Sequence, residues 1–177
     1  MTGAPVTAAR ALRRLPTQAD RVLIAANPKA GAGSRWPLVE QLAERLGSAG
    51  LHAEVVTDLD RVTDLALGLH QQGTLRALVC GGGDGTASEL ANRTGCQVPL
   101  ATLPLGTENL LARYLGFTDR VASVAQTVTE GLVAQLDVGR AGERIFLLMA
   151  SCGFDSDVVR RMHATRRGNI SRFSYGK

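Results

Sequence analysis

Aromatic side chains are scarce in this sequence, and they are not interleaved with basic residues. Phe, Trp and Tyr make up 4% of the 177 residues, and the formal net charge is only +4. Proteins that bind single-stranded nucleic acid combine a basic groove with aromatic side chains on which the bases stack. The composition therefore predicts no nucleic-acid partner.

Long hydrophobic runs are also missing. No segment approaches the roughly 18 consecutive apolar residues that a membrane helix needs, and the N-terminus lacks the apolar core of a secretion signal. We therefore expect a protein that is not transmembrane and that stays in the cytoplasm.

Cysteine and histidine are few and share no metal-binding spacing. The three cysteines, Cys80, Cys96 and Cys152, lie far apart in apolar surroundings, and no Cys-x-x-Cys pair occurs. Their odd number and their surroundings favour buried thiols in a reducing compartment. The three histidines are scattered, so no histidine metal site is expected.

Short apolar runs alternate with amphipathic stretches from Arg21 onward. The runs RVLIAAN, HAEVVT, LRALVC and VPLATLPL predict buried strands, and apolar residues spaced three or four apart between them predict helices. Strands that alternate with helices imply a parallel sheet covered on both faces. The predicted fold class is α/β, with a Rossmann-like parallel-sheet domain over residues 21–131.

The pattern changes near residue 132. Two β-rich runs on either side of the turn-like RAGE predict an antiparallel hairpin, which is too small to be stable alone. Residues 132–177 are therefore interpreted as the incomplete beginning of a second domain, and the chain as the N-terminal portion of a longer protein. Its open sheet edges would favour self-association as a homodimer. Residues 1–20 are interpreted as a flexible N-terminal tail outside the fold.

The segment LVCGGGDGTASEL, residues 78–90, interrupts an apolar run with four glycines and one aspartate. It follows a predicted strand and precedes a predicted helix, at the edge of a parallel sheet where ligands bind. Glycines let backbone N–H groups approach a ligand, and a helix N-terminus attracts phosphate. Asp84 fits such a site if it holds Mg²⁺, takes a proton from a hydroxyl or bonds a ribose. The alternative is a tight turn with Asp84 as the N-cap.

Two further loops rich in small residues accompany the glycine run. NPKAGAG follows the first predicted strand and PLGTEN follows the fourth, so three loops would converge on one crevice. The glycine run is not a Walker loop, because no Gly-Lys-Ser or Gly-Lys-Thr follows it. It is not the Gly-x-Gly-x-x-Gly dinucleotide fingerprint either.

These loops resemble the signature segments of the diacylglycerol kinase catalytic domain family. The matching segments are Asn27-Pro28-Lys29-Ala30-Gly31, Gly82-Gly83-Asp84-Gly85-Thr86 with Glu89 three positions on, and Pro104-Leu105-Gly106-Thr107-Glu108-Asn109. The resemblance runs from about Arg21 to the GFDSDVV stretch. The family includes bacterial lipid kinases and sphingosine kinases and is related more distantly to NAD kinases. It implies an α/β nucleotide-binding domain followed by a β-sandwich, with the active site between them.

The resemblance implies transfer of the γ-phosphoryl group of ATP to a lipid hydroxyl, as in phospholipid biosynthesis. Asp84 would be the catalytic residue, acting through Mg²⁺ and water or as the base that takes the hydroxyl proton. The lipid would be met at a membrane surface, with the protein peripheral on it. The residues implied to bind ATP are Asn27, Pro28, Lys29, Ala30, Gly31, Thr57, Gly82, Gly83, Asp84, Gly85, Thr86, Glu89, Gly106, Thr107 and Asn109.

Two other functions stay open at this point. An NAD kinase would share the Gly-Gly-Asp-Gly segment, although PLGTEN favours the lipid branch. A non-catalytic nucleotide-binding fragment would result if the catalytic glutamate and structural Mg²⁺ site that the family implies downstream are lacking.

Ser88, Glu108 and Leu110 depart from the family pattern at the rim of the loops. A basic tract of Arg160, Arg161, Arg166, Arg167 and Arg172 would meet anionic lipid headgroups or form a solvated face.

Overall fold

The computed structural model describes residues 10–26, 35–154, 156, 157 and 161. The elements are β1 (Arg10–Arg14), β2 (Arg21–Ala26), α1 (Trp36–Ser48), β3 (His52–Val56), α2 (Leu59–Gln71), β4 (Leu75–Gly82), α3 (Asp84–Arg93), β5 (Leu100–Pro104), α4 (Leu110–Tyr114), α5 (Val121–Glu130), β6 (Leu132–Gln135), β7 (Gly139–Ala141) and β8 (Arg144–Phe146). Among these helices none has the length and hydropathy that crossing a bilayer requires.

Four strands form the central sheet, and the predicted α/β class is confirmed. Their order is β3-β2-β4-β5, and every neighbouring pair is parallel. The chain moves outward from β2 to β3 and then crosses back over β2 to reach β4. The direction of travel therefore reverses between β2 and β4, which is the topological switch point at which open α/β sheets place their ligands.

Both faces of the sheet are buried, as a parallel sheet requires. Val22 and Ile24 of β2 point to the layer of α1 and α5, where Leu42 and Leu46 are fully buried. Leu23 points to the opposite layer, formed mainly by α2 and α3. The unbroken apolar run of β2 thus results from burial on two sides rather than from alternation with solvent.

Residues 10–14 differ from the prediction of a tail outside the fold. They form β1, which pairs antiparallel with β6 so that Arg14 lies opposite Leu132. Next to this pair, the Leu15 N–H donates to the carbonyl of Gly131 at 2.9 Å, and the Leu15 side chain is buried. β1 could not be predicted from the sequence, because its partner strand is more than 100 residues away and RALRR shows no apolar alternation.

The predicted hairpin around RAGE is present but short. β7 and β8 pair antiparallel over three residues each, and Gly142 turns between them with a φ of +60°. β6, the first part of the same β-rich run, pairs with β1 instead. This small β unit is consistent with the start of a sandwich, while the division into domains at residue 132 stays a prediction.

The three cysteines have two different environments. Cys80 lies on β4 and is 1% exposed, whereas Cys96 and Cys152 are exposed, so the expectation of three buried thiols was wrong for two of them. Cys96 follows α3 in a turn, where the apolar neighbours in the sequence do not cover it. Burial, together with the nearby Asp84 carboxylate, raises the pKa of the Cys80 thiol to about 12.

Thiol reactivity should separate Cys80 from the other two cysteines. Because the thiolate is the reactive species, we expect Cys80 in the folded protein at pH 8 to react with iodoacetamide at least about 100-fold more slowly than Cys96 and Cys152. Peptide mapping by mass spectrometry after timed labelling measures each rate. A denatured sample, in which all three should label, is the control, and rapid labelling of native Cys80 would contradict its burial.

Candidate active site

The carboxyl edge of the sheet gathers two of the three loops singled out in the sequence, together with Thr57. Thr57 follows β3, Gly83 follows β4 and Leu105 follows β5, all at the same edge of the four parallel strands. β2 ends beside Gly81, and the loop that follows it, which contains Asn27 to Gly31, lies outside the described residues. Of the predicted convergence, the structure therefore describes the meeting of the loops after β4 and β5.

The glycine turn after β4 and the turn after β5 touch through their backbones. A Cβ atom added to Gly106 would lie 2.6 Å from the Cα of Gly83, closer than real Cβ contacts come. The Leu105 N–H donates to the carbonyl of Gly82 at 3.0 Å and continues the pairing of β5 with β4 into the turns. The packing of one turn on the other therefore requires glycine at position 106, while a Cβ atom on Gly83 would make a tight contact, 3.2 Å from the Cα of Gly106.

The other glycines of the run differ in how closely they are packed. A Cβ atom on Gly82 would lie 2.8 Å from Oγ1 of Thr86, so the threonine side chain covers the end of β4. A Cβ atom on Gly85 would meet nothing within 4 Å, and Gly85 is exposed. Gly85 thus faces open space in the first turn of α3.

Asn109 closes the turn after β5 on itself. Its Oδ1 accepts the N–H of Gly106 at 2.9 Å, and its Nδ2 donates to the carbonyl of Gly106 at 2.8 Å. The backbone of Asn109 has φ 51° and ψ 47°, a left-handed conformation that asparagine tolerates better than most residues. Both demands, the amide side chain and the positive φ, explain the asparagine at this position.

The carboxylate of Asp84 joins the two turns. One oxygen accepts the N–H of Leu110 and the other accepts the N–H of Leu111, each at 2.9 Å, so Asp84 satisfies the first amides of α4. The alternative predicted from the sequence, that Asp84 caps its own helix, is wrong, because Gly83 is the N-cap of α3. A carboxylate near the N-terminus of α4 also interacts favourably with the dipole of that helix.

The N-terminus of α3 has no side-chain cap. The N–H groups of the first turn of a helix have no acceptor within the helix, and they point out of its N-terminal end. In this protein that end lies at the carboxyl edge of the sheet, next to the switch point. Backbone donors are therefore available there to an anionic group.

The space beneath the turns is very small. The cavity lined by Cys80, Gly83, Asp84 and Thr102 has a volume of about 10 Å³. That volume holds roughly one water molecule at most. A ligand of the glycine turns must therefore bind on their outer side, at the carboxyl edge of the sheet.

The remaining predicted residues lie farther from this contact or are engaged elsewhere. Thr57 is exposed at the end of β3, just before Asp58, which caps α2 by accepting the N–H of Arg61 at 2.7 Å. Thr107 is exposed within the turn after β5. Glu89 lies one turn along α3, where its carboxylate bonds Nε of Arg93 at 2.8 Å and Nη2 of Arg144 at 3.4 Å.

Arg35 is a residue of this edge that the sequence reasoning missed. It precedes α1, and its Nη1 donates to the carbonyl of Pro104 at 3.2 Å, so the guanidinium reaches across to the end of β5. It is the first basic residue after NPKAGAG and stands directly before a predicted helix. This position could have identified Arg35, because it places a positive charge between the NPKAGAG loop and the helix.

The fold and its edge define a class of protein: an open, doubly wound α/β protein whose glycine turns meet beside the topological switch point. The family described as the diacylglycerol kinase catalytic domain matches residues 21–141. The chain belongs to this family, which confirms the resemblance found in the sequence.

Relatives of known name and structure agree with this assignment. The "Probable lipid kinase YegS-like" of Klebsiella pneumoniae (strain 342) is 29% identical over 154 residues, which are 82% of this chain and 50% of that protein. The protein of the same name in Pseudomonas putida is 42% identical over 85 residues, 46% of this chain and 28% of that protein. A crystal structure of a diacylglycerol kinase from Bacillus anthracis str. Sterne has a TM-score of 0.58 at 29% identity, over 72% of this chain and 46% of that one. The chain spans half or less of each of these relatives.

Two glycine substitutions should separate packing from helix propensity. We expect Gly106→Ala to destabilise the protein by about 1–3 kcal/mol, because its methyl group would overlap the backbone of Gly83. Gly85→Ala should be neutral or stabilise by up to about 1 kcal/mol, because alanine favours the helix and meets nothing there. Urea unfolding of both variants measures the difference, and equal stabilities would contradict the contact between the turns.

Proposed function

We propose that this chain is the nucleotide-binding portion of an ATP-dependent lipid kinase, which transfers the γ-phosphoryl group of ATP to a lipid hydroxyl. The observation that carries the proposal is the contact of the turn at Gly83 with the turn at Gly106, at the switch point of a chain that belongs to the diacylglycerol kinase catalytic domain family. The family membership supports a lipid kinase, and ATP as donor is the proposed part.

The phosphates of ATP would lie against the outer side of the glycine turns. The uncapped N-terminus of α3 supplies backbone donors, and Gly85 leaves open space beside them. Arg35 supplies a guanidinium at the same edge. Lys29 and the rest of Asn27 to Gly31 are proposed to close the crevice from the β2 side, because β2 ends next to β4. Thr57, Gly82, Thr86, Thr107 and Asn109 would complete the lining.

Mg²⁺ fits this site as a companion of the nucleotide rather than as a resident ion. Within the described residues no group of three or more His, Cys, Asp or Glu side chains could hold a metal ion. Mg²⁺ often needs only one or two carboxylates beside substrate phosphates and water. Asp84 would be that carboxylate, since each oxygen uses one lone pair for an amide of α4 and keeps another. When bound, the ion would neutralise charge on the transferred phosphoryl group.

Asp84 has two proposed roles, and the geometry favours one of them. Hydrogen bonds from two N–H donors hold both carboxylate oxygens of Asp84 in place. A fixed carboxylate suits a residue that orients Mg²⁺ and the γ-phosphoryl group. Acting as the base for the lipid hydroxyl would require an oxygen that already accepts an N–H group to take a proton as well. We therefore propose positioning through Mg²⁺ as its main task.

Binding of ATP is the first test. In calorimetric titrations with Mg²⁺ we expect the wild-type chain to bind ATP and the Asp84→Asn variant to bind about tenfold more weakly, a loss of about 1.4 kcal/mol. Asp64→Asn on the exposed side of α2 is the matched control and should bind as the wild type does. A folded wild-type chain that does not bind ATP would refute the proposed site.

Transfer of label from ATP separates the remaining functions. With γ-labelled ATP we expect labelled lipid from diacylglycerol in mixed micelles and no labelled product from NAD. Asp84→Asn should lower the turnover at least about 100-fold, because the transferred group loses its orienting carboxylate. Labelled NAD would favour an NAD kinase. Binding of ATP without transfer to either acceptor would favour a non-catalytic nucleotide-binding role.

A further inference from the structure

The side chain of Asn92 clamps a peptide group far from it in the sequence. Oδ1 of Asn92 accepts the N–H of Ile145 at 2.8 Å, and Nδ2 donates to the carbonyl of Ile145 at 2.8 Å. Nδ2 also donates to the carbonyl of Ser88 on its own helix at 2.9 Å. Donors and acceptors of the half-buried carboxamide are thus used to join α3 to β8.

The clamp imitates a neighbouring strand. Ile145 is the central residue of β8 and lies opposite Arg140 of β7. In an antiparallel ladder, residues alternate between those that bond the partner strand and those whose N–H and C=O point outward. Because Ile145 bonds Asn92, its peptide groups face outward, and the carboxamide occupies the place that a third strand would take. The hairpin is therefore docked edge-on against α3.

Neighbouring contacts hold the same junction. The Ile145 side chain is 8% exposed, and Leu147 packs partly against the core on the α2 and α3 side of the sheet. Arg144 pairs with Glu89 at 3.4 Å, but this pair is largely exposed and contributes little by itself. The directional part of the junction is therefore the pair of hydrogen bonds from Asn92.

Helix α3 holds both ends of this arrangement. Asp84 in its first turn binds α4, and Asn92 in its last turns binds β8. A helix of this length is about 15 Å long and rigid on this scale. The chain that leaves β8 carries the exposed apolar side chains of Leu148, Met149 and Phe154. The position of this apolar segment relative to the glycine turns is consequently set through α3.

We propose that Asn92 is a positioning residue of the kinase: its clamp on Ile145 sets where the apolar segment after β8 stands relative to the phosphoryl donor. The inference rests on the proposed function, because it assigns the lipid acceptor to the apolar segment that follows β8. Asn92 contacts neither the glycine turns nor α4 by any hydrogen bond within the described residues, so its effect on ATP itself should be small.

Two variants test the clamp. Asn92→Asp keeps the shape but sets a carboxylate oxygen against the carbonyls of Ile145 and Ser88, and Asn92→Ala removes the amide. The matched control is Gln126→Ala, which removes an exposed side-chain amide that donates to Glu130 on the surface of α5. We expect the Ile145 amide to exchange hydrogen at least about tenfold faster in both Asn92 variants and at an unchanged rate in the control.

The kinetic readout distinguishes positioning from general support of the fold. With γ-labelled ATP and diacylglycerol we expect kcat to fall at least about tenfold in both Asn92 variants. The KM for ATP and the calorimetric affinity for ATP should change less than about twofold. The control should match the wild type in all three quantities.

Each other outcome overturns the inference in a recognisable way. Faster exchange at Ile145 with unchanged kcat would show that the position of the hairpin does not matter to transfer. A parallel loss of ATP affinity would show that Asn92 supports the α/β domain as a whole. A wild-type chain that transfers nothing to diacylglycerol would refute the proposed function itself, and the positioning role with it.

Discussion

The backbones of two turns meet at the carboxyl edge of the sheet, with no side chain between Gly83 and Gly106. That approach places α3 and α4 so that the Asp84 carboxylate reaches two amides of α4, and it leaves the N-terminus of α3 facing the crevice. A methyl group on Gly106 would overlap the backbone of Gly83 and push the turns apart. The absence of a Cβ atom at position 106 is thus a constraint on which the remaining features of the site depend.

Much of the architecture follows from local patterns. The buried run of β2 and the three-to-four spacing of α1 and α2 predict the α/β sheet, because two-sided burial leaves a signature in consecutive residues. The glycine run and PLGTEN predict the site because each turn is built from residues that are adjacent in the sequence. The pairing of β1 could not be predicted, because its partner strand is distant in the sequence. The exposure of Cys96 could not be predicted either, because its apolar neighbours in the sequence do not cover it in the turn after α3.

The roles of individual site residues were harder to foresee than their location. The partners of Asp84 lie 26 and 27 positions along the chain, so its sequence context suggests a cap for α3 when the carboxylate in fact caps α4. Glu89 stands beside the glycine run in the sequence, but the helix turns its carboxylate toward Arg93 and Arg144. Proximity in the sequence therefore predicts where the site lies, whereas the direction in which each side chain points follows only from the folded structure.

The pairing of β1 with β6 has a consequence for the order in which the strands can pair during synthesis. Arg14 donates to the carbonyl of Glu130, 116 positions later. All four strands of the central sheet therefore lie, in the sequence, between the two paired strands β1 and β6. Contacts this distant form slowly, because the intervening chain must first be ordered. During synthesis on a ribosome β1 emerges before β6 and must wait for it, so Arg14 is exposed to other molecules before its own partner exists.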